Sequence, residues 1–196
     1  MSTAGVLLGN TAALAHTGKV SVGNVNNSAV ISGHRTLGSK NFSMEVSVLG
    51  FGCMGLNYHR SEHPDKKAAI ALVHEAIERG ITLFDTAESY GPYSNETLMG
   101  EALKGFHNRI SVSSKFGHKY VNGVRIMSEE DSSPGNIRKV CEESLHRLGA
   151  ETLGIFYQHR TDPNPGREGT ALRPVRGRDR YYPQSARHPA RYRHSK

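Results

Sequence analysis

The sequence predicts an α/β fold built around a parallel sheet. Between residues 34 and 160, short β-branched runs alternate with segments whose apolar residues recur at helical spacing. Four strand signals and three helix signals follow one another in strict alternation, which is typical of parallel sheets covered by helices. The chain has 196 residues, which is enough for one domain with a buried core and too few for two.

The first two strands flank the first helix. Residues 46–52 form an apolar, β-branched run and are predicted to be the first strand. A helix is predicted over residues 66–79, with Gly80 just past its end. Residues 81–85 are predicted to form the second strand. The apolar face of the helix is predicted to consist of Ile70, Val73, Ala76 and Ile77.

Two further strands and two further helices complete the pattern. Asn95 is predicted to cap the second helix, and residues 109–115 to form the third strand. Ser133 is predicted to cap the third helix, with Pro134 at its first position, and residues 152–159 to form the fourth strand. The predicted buried side chains of the two helices are Leu98, Met99, Ala102 and Leu103, and Ile137, Cys141, Leu145 and Leu148.

Composition divides the chain into three zones. Residues 1–33 are rich in Gly, Ser, Asn and Ala, and we expect a flexible leader there. Residues 34–164 carry the alternating strands and helices. Residues 165–196 hold only two large aliphatic side chains, Leu172 and Val175, so we expect a basic, disordered tail. Because the composition changes abruptly, we expect this tail to lie outside the ancestral fold and to arise from a change of reading frame or splicing.

The formal net charge of +7 lies entirely in the tail, because acidic and basic residues balance over residues 1–164. The charge of the folded part therefore does not indicate a nucleic-acid partner. The arginines and tyrosines of the tail match no recognition motif, so nucleic-acid binding is not favoured. No apolar run approaches the roughly 18 residues of a membrane-spanning helix, and no membrane partner is expected.

Cysteine and histidine positions exclude two classes of site. The two cysteines, Cys53 and Cys141, do not suggest a disulfide scaffold, and a reducing, cytoplasmic location is expected. His59 and His63 are four positions apart, but no third ligand is evident and Pro64 interrupts the local helix, so no metal site is expected.

The stretch Gly50-x-Gly52-x-x-Gly55 has the spacing of a dinucleotide-binding turn. In such a turn the helix begins at the glycines, because its N-terminus holds the pyrophosphate. Here the helical pattern begins near Asp65. The available candidate for the ribose-binding acid, Asp85, comes later than the expected position about 20 residues on. We interpret the glycines as a tight turn beneath a ligand; a turn without a ligand is the alternative.

The later predicted strands end on polar residues, namely Asp85, Lys115 and His159. Tyr90 follows Asp85 within the same loop, FDTAESYG. Active sites of parallel α/β folds gather at the carboxyl ends of strands, so these four side chains are expected to meet on one rim. Taken singly, a loop cap, a rim aromatic, a solvated lysine and a strand-end histidine are the ordinary alternatives. Their occurrence at successive strand ends favours a site.

These four residue types suit the protonation of a carbonyl oxygen while hydride arrives from a cofactor. A free tyrosine has a pKa near 10 and is a poor acid at neutral pH. A lysine cation stabilises the phenolate form of a neighbouring tyrosine, and a carboxylate keeps the lysine charged and oriented. A neutral histidine can hydrogen-bond a substrate carbonyl and fix its direction.

Four stretches of the chain resemble the aldo-keto reductases. They are VLGFGCMGL, GITLFDTAESYGPYSNETLMGEAL, SSKFG and IRKVCEESLHRLGAETLGIFYQHRTDPN, and they span roughly residues 35–164. The resemblance implies a (β/α)8 barrel of the TIM type that reduces aldehydes and ketones with NADPH and binds its cofactor without a Rossmann turn.

By this resemblance, four residues occupy the positions of the family's catalytic tetrad. Tyr90 would be the general acid, and Lys115 the cation that stabilises its phenolate. Asp85 would support the charge of Lys115, and His159 would orient the carbonyl. The turn Gly52-Cys53-Met54 matches the segment that approaches the nicotinamide half of the cofactor.

A (β/α)8 barrel typically takes about 250 residues, and the resemblance ends near residue 164, so we expect a barrel truncated to about its first four β/α units. The leading hypothesis is NADPH-dependent reduction of a small-molecule aldehyde or ketone, and it allows the truncated form itself to be either active or inactive. The alternative is a catalytically silent half-barrel that binds or regulates a partner by pairing with a complementary half-barrel. Its inward face would expose Leu83, Ile155 and Phe156.

Overall fold

The computed structural model describes residues 30–38, 43–59 and 62–163, and the backbone of residues 175–176. Most of the predicted leader and of the predicted tail therefore lies outside the described residues. The strands and helices are, in chain order, β1 (His34–Leu37), β2 (Met44–Ser47), β3 (Phe51–Gly52), α1 (Lys66–Glu78), β4 (Leu83–Asp85), α2 (Ser94–Ala102), β5 (Ser111–Phe116), β6 (His118–Val121), β7 (Val124–Glu130), α3 (Pro134–Leu148), β8 (Thr152–Leu153), β9 (Ile155–Gln158) and β10 (Val175–Arg176).

Four strands form a parallel sheet in the order β3–β4–β5–β9, which confirms the predicted α/β architecture. One helix lies in each connection between consecutive strands of this sheet. Gly52 pairs with Asp85, and Asp85 pairs with Ser113. Lys115 pairs with Tyr157. Since paired residues project to the same side of a sheet, these five residues share one face.

The other face of the sheet packs against the helices. Phe84, Phe116 and Phe156 are fully buried there, in one core with apolar side chains of all three helices. The expectation that Phe156 faces inward and is exposed is therefore wrong. Because side chains alternate along a strand, Ile155 and Tyr157 take the inward face of β9, and Phe156 takes the core face. Leu83 and Ile155 are partly buried.

The first predicted strand, residues 46–52, is split in two. Residues Met44–Ser47 pair antiparallel with β1, and only Phe51–Gly52 joins the parallel sheet. The break follows Ser47, whose hydroxyl donates to the Leu49 carbonyl at 2.6 Å and accepts from the Thr82 backbone N–H at 2.9 Å. The bond within the turn and the long-range bond to Thr82 together hold the chain in a bend where the sequence suggested a continuous strand.

The fourth predicted strand, residues 152–159, is also divided, at Gly154. A Cβ at Gly154 would lie 2.8 Å from the Met44 methyl group and 3.1 Å from the Ser111 Cβ, so a larger residue would require both side chains to shift. The short strand before it, β8, pairs antiparallel with β10. Strand β10 thus lies within the segment predicted to be a disordered tail, whose other residues are not described.

An antiparallel hairpin, β6–β7, follows β5 and was not expected. Its turn consists of Asn122 and Gly123, which have φ angles of 50° and 77°. An Asn-Gly pair is the preferred sequence for a two-residue hairpin turn, because both positions need positive φ. The sequence therefore carried a signal for this hairpin.

Of the two predicted helix N-caps, Ser133 is confirmed and Asn95 is wrong. The Ser133 side chain accepts a hydrogen bond from the Asn136 backbone N–H at the start of α3, with Pro134 in the first turn, as predicted. The prediction that Asn95 caps α2 is wrong, because α2 begins at Ser94 after Tyr93. Asn95 is instead fully buried. Its side chain hydrogen-bonds the Thr86 hydroxyl, the Cys53 carbonyl and the Asn57 side chain.

A buried ionic network joins α2 and α3 to the sheet. Glu96 is fully buried and accepts hydrogen bonds from Ser114 Oγ at 2.6 Å and from Arg147 Nε at 2.7 Å. Nearby Glu88 is 1% exposed, and its Oε1 has no hydrogen-bond partner among the described residues. Burial, reinforced by the Glu96 carboxylate, raises the pKa of Glu88 to about 8. Glu88 is therefore mostly protonated at neutral pH.

Gly100 is expected to be essential for the packing of α2 on α3. A Cβ at this position would overlap the backbone carbonyl oxygen of Arg147, which cannot move without shifting α3. Gly100→Ala should therefore lower the free energy of unfolding by about 1–3 kcal/mol, measured by urea denaturation.

Gly135→Ala is the matched control, because a Cβ there would meet no atom of the described residues within 4 Å. It lies in the first turn of α3, and alanine should raise the stability by up to about 1 kcal/mol through its higher helix propensity. Equal effects of the two substitutions would show that close helix packing does not explain Gly100.

The raised pKa of Glu88 predicts a pH dependence of stability. A carboxyl group with a higher pKa in the folded state binds more protons there, so its contribution to stability falls as pH rises from about 4.5 to about 8. Glu88→Gln removes this titration. Relative to wild type, the variant should gain on the order of a few kcal/mol of unfolding free energy across that pH range.

The control for this measurement is Glu62→Gln, which removes a carboxylate at an exposed position. Denaturant titrations of all three proteins over the same pH range give the comparison. A constant difference between Glu88→Gln and wild type at every pH would contradict a raised pKa for Glu88.

Candidate active site

The side chain of Lys115 lies at the centre of the candidate site. Its ammonium donates three hydrogen bonds, to Asp85 Oδ2 at 2.6 Å, to the Thr86 carbonyl at 2.8 Å and to the Tyr90 hydroxyl at 3.0 Å. An ammonium has three N–H donors, so all of them are used. The side chain of Lys115 is only 7% exposed. Three of the four predicted site residues are thus in direct contact.

The Asp85 carboxylate also accepts hydrogen bonds from two residues other than Lys115. Its Oδ1 accepts hydrogen bonds from Ser113 Oγ at 2.7 Å and from the Tyr157 hydroxyl at 2.8 Å. Both donors lie on the inward face of the sheet, one on β5 and one on β9. Neither residue was expected at the site, because a serine or tyrosine in the middle of a strand gives no functional signal. The carboxylate of Asp85 on β4 is therefore oriented by side chains from two other strands, β5 and β9.

Opposing effects act on the charge of Lys115. Burial disfavours the ammonium, but the charge of Asp85 and the hydrogen bonds to Asp85 and Tyr90 outweigh it and raise the pKa of Lys115 above its ordinary value. Burial and the Asp85 carboxylate also raise the pKa of the Tyr157 phenol. For a lysine a raised pKa favours the charged form, whereas for a tyrosine it favours the neutral form. Lys115 is thus a permanent cation, and Tyr157 remains a neutral donor.

The aromatic ring of Tyr90 is enclosed on several sides. The residue is 9% exposed. Its ring stacks on Tyr58 with centroids 5.9 Å apart and meets the His159 ring edge-on at 5.7 Å. The Lys115 ammonium lies 4.6 Å from the ring centroid. These contacts fix the hydroxyl beside the ammonium and bring His159, the fourth predicted residue, next to the other three.

His159 is half-buried, and its surroundings keep it neutral. Burial, together with the nearby His118, Lys115 and Arg160, lowers the pKa of His159 to about 4. Its Nδ1 lies 3.2 Å from the hydroxyl oxygen of Ser89, in the loop that also carries Tyr90. At neutral pH the ring therefore carries a single N–H, as a hydrogen-bond donor to a carbonyl would require.

The unexpected hairpin also reaches the site. His118, the first residue of β6, packs against the His159 ring with centroids 4.7 Å apart. Its Nδ1 lies 2.7 Å from Glu130 Oε2, on the paired strand. Sequence reasoning missed His118, because the hairpin that carries it was not predicted.

The glycine turn lies beside Asp85 without the geometry of a Rossmann loop. A short 3₁₀ turn, Met54–Leu56, follows β3, and the first α-helix starts only at Lys66. Cys53 is fully buried, and its backbone N–H donates to the Asp85 carbonyl at 2.9 Å. A Cβ on Gly52 would meet no described residue within 4 Å, so the described part of the chain leaves the inward face beside Asp85 open.

Two classes of feature are not seen in the described part of the chain. No group of three or more His, Cys, Asp or Glu side chains there could hold a metal ion. Within the same residues, no helix has the length and apolar character needed to cross a bilayer.

Comparisons with known proteins extend the resemblance drawn from the sequence. The Glycine max protein named "Probable aldo-keto reductase 1" is 42% identical over 127 residues, which are 64% of this chain and 36% of that protein. An aldo-keto reductase from Bacillus halodurans, solved in its holo form, superposes with a TM-score of 0.55 at 31% identity, covering 64% of this chain and 39% of that one.

A glycerol dehydrogenase from Gluconobacter oxydans superposes equally well, with a TM-score of 0.55 at 31% identity over 66% of this chain and 39% of that one. The chain thus spans little more than a third of the length of these relatives. The statistical model of the Aldo/keto reductase family matches residues 48–171, well over half of the chain. The chain therefore belongs to the aldo/keto reductase family.

Proposed function

We propose that residues 34–164 are the first four β/α units of a (β/α)8 barrel that reduces an aldehyde or ketone with NADPH. The observation that carries the proposal is the position of the Lys115 ammonium, 2.6 Å from the Asp85 carboxylate and 3.0 Å from the Tyr90 hydroxyl. A fixed cation against a phenol is the arrangement that makes tyrosine an effective proton donor near neutral pH.

Tyr90 is the proposed general acid. The Lys115 ammonium donates to the Tyr90 oxygen, so the phenolic hydrogen must point elsewhere and is free to bond a substrate oxygen. As the phenol gives up its proton, negative charge develops on an oxygen that already accepts a hydrogen bond from a buried cation. Asp85 keeps that cation in place, and Ser113 and Tyr157 keep Asp85 in place.

His159 is proposed to orient the carbonyl. Its neutral ring can donate one hydrogen bond without delivering a second positive charge to the site. The ring lies edge-on to Tyr90, so a carbonyl oxygen placed between them can accept from both. This arrangement holds the oxygen in one direction while Tyr90 protonates it.

The cofactor assignment rests on the turn Gly52-Cys53-Met54. Since a Cβ on Gly52 would meet none of the described residues within 4 Å, a planar group can approach the backbone next to Asp85 without meeting a side chain of that part of the chain. NADPH, when bound, supplies the hydride. Further support comes from the similarity to the Bacillus halodurans structure, which was solved in a holo form.

The proposed location is the cytoplasm, where the buried thiols of Cys53 and Cys141 remain free.

A chimera tests the proposal. The matching segment of the Glycine max relative is replaced by residues 34–163 of this chain, which restores a full-length protein. The chimera should oxidise NADPH in the presence of an aldehyde. Within it, Tyr90→Phe should lower kcat by about two to four orders of magnitude, the usual contribution of general acid catalysis.

Tyr120→Phe in the same chimera is the matched control. Its buried hydroxyl has no hydrogen-bond partner in the described part of the chain, and Tyr120 is not a proposed site residue. It should retain the activity of the chimera. If Tyr90→Phe is as active as Tyr120→Phe, Tyr90 is not the acid. If the folded chimera binds no NADPH by fluorescence titration, the alternative of a silent fragment is favoured instead.

A further inference from the structure

Within the described part of the chain, the His159 imidazole has one hydrogen-bond partner, the hydroxyl of Ser89. The Ser89 oxygen lies 3.2 Å from Nδ1, and Ser89 is 6% exposed. The residue directly precedes Tyr90 in the loop between β4 and α2. One short segment therefore carries both the proposed acid and the group that contacts the proposed carbonyl-orienting residue.

The direction of this hydrogen bond decides what His159 can do. A neutral imidazole carries its proton on either Nδ1 or Nε2, and the partner of one nitrogen selects the state of the other. If Ser89 donates to Nδ1, the ring proton lies on Nε2. If Ser89 accepts from Nδ1, then Nε2 has no proton to donate.

The burial of Ser89 favours the first arrangement. A buried hydroxyl loses free energy when its hydrogen has no acceptor. Nδ1 of His159 is the one acceptor that the described residues offer to the Ser89 hydroxyl. If Ser89 accepted from Nδ1 instead, its own hydrogen would be buried without an acceptor.

We propose that Ser89 is a positioning residue that donates its hydroxyl hydrogen to Nδ1 of His159 and so holds the ring proton on Nε2. The inference rests on the proposed function, in which His159 must donate a hydrogen bond to a carbonyl oxygen. The contacts of the ring with Tyr90 at 5.7 Å and with His118 at 4.7 Å fix its plane, so that Nε2 keeps one direction.

Nitrogen NMR of the full chain, labelled with 15N-histidine, tests this proposal without substrate or cofactor. The His159 signals are identified by their loss in His159→Gln. At neutral pH, Nδ1 of His159 should show the shift of an unprotonated nitrogen and Nε2 the shift of a protonated one. A protonated Nδ1 in the wild-type chain would overturn the proposal.

Three variants separate the role of the hydroxyl from effects on folding. Ser89→Ala should move the ratio of the two ring forms by about fivefold, the effect of losing one ordinary hydrogen bond. Ser89→Thr, which keeps a hydroxyl, should retain the wild-type ratio. Ser94→Ala, which removes a hydroxyl five residues away on the exposed start of α2, should leave the spectrum unchanged.

An unchanged ratio in folded Ser89→Ala would contradict the proposal, and the wild-type spectrum decides it if that variant does not fold. Because the NMR measurement needs no substrate, the role of Ser89 and the reductase activity can fail separately. A proton on Nε2 in a chain whose chimera reduces no carbonyl would support the role of Ser89 and refute the reductase activity.

Discussion

The rest of the site depends on the hydrogen bonds made by the buried ammonium of Lys115. A cation removed from water is destabilising unless oxygen atoms replace its hydration shell. Here a carboxylate, a backbone carbonyl and a phenol replace it completely. Each of these oxygens belongs to β4 or to the loop after it, while Lys115 belongs to β5. The cation therefore connects the end of one strand to the loop of its neighbour, and it positions the Tyr90 hydroxyl in doing so.

The fold places the hydrogen-bond partners of Lys115 and Asp85 within reach of one another. The register of β4, β5 and β9 places Asp85 beside Ser113, and Lys115 beside Tyr157. The loop that carries Tyr90 is fixed behind the site by the Asn95 side chain, which accepts a hydrogen bond from the Thr86 hydroxyl and donates one to the Cys53 carbonyl. Behind that loop, Glu96 joins α2 to Ser114 on β5 and to Arg147 on α3. Changes in the packing of α2 on α3 are therefore expected to reach the Tyr90 hydroxyl.

Much of this arrangement was predictable from local patterns. Apolar periodicity located the three helices, and polar residues at predicted strand ends identified Asp85, Lys115 and His159. Tyr157 was missed because an aromatic residue in a strand is ordinary, and its bond to Asp85 depends on the register of strands that are distant in sequence. Asn95 was misassigned because asparagine before a helical run is typical of a cap, whereas tertiary contacts bury it. The breaks near Gly50 and Gly154 depend on contacts with Thr82, Met44 and Ser111, which no local pattern contains.

The most direct test is a double-mutant cycle on the full chain, with Asp85→Ala, Lys115→Met and the double variant compared by urea denaturation. If the pair of buried Lys115 and partly buried Asp85 organises the site, its coupling free energy should be about 2–3 kcal/mol. The exposed pair Lys66–Glu101 has the same 2.6 Å separation, with side chains 63% and 47% exposed, and is the reference cycle. Its coupling should be below about 1 kcal/mol, because solvent screens it. A coupling between Lys115 and Asp85 no larger than that of the exposed pair would contradict the central role assigned to Lys115.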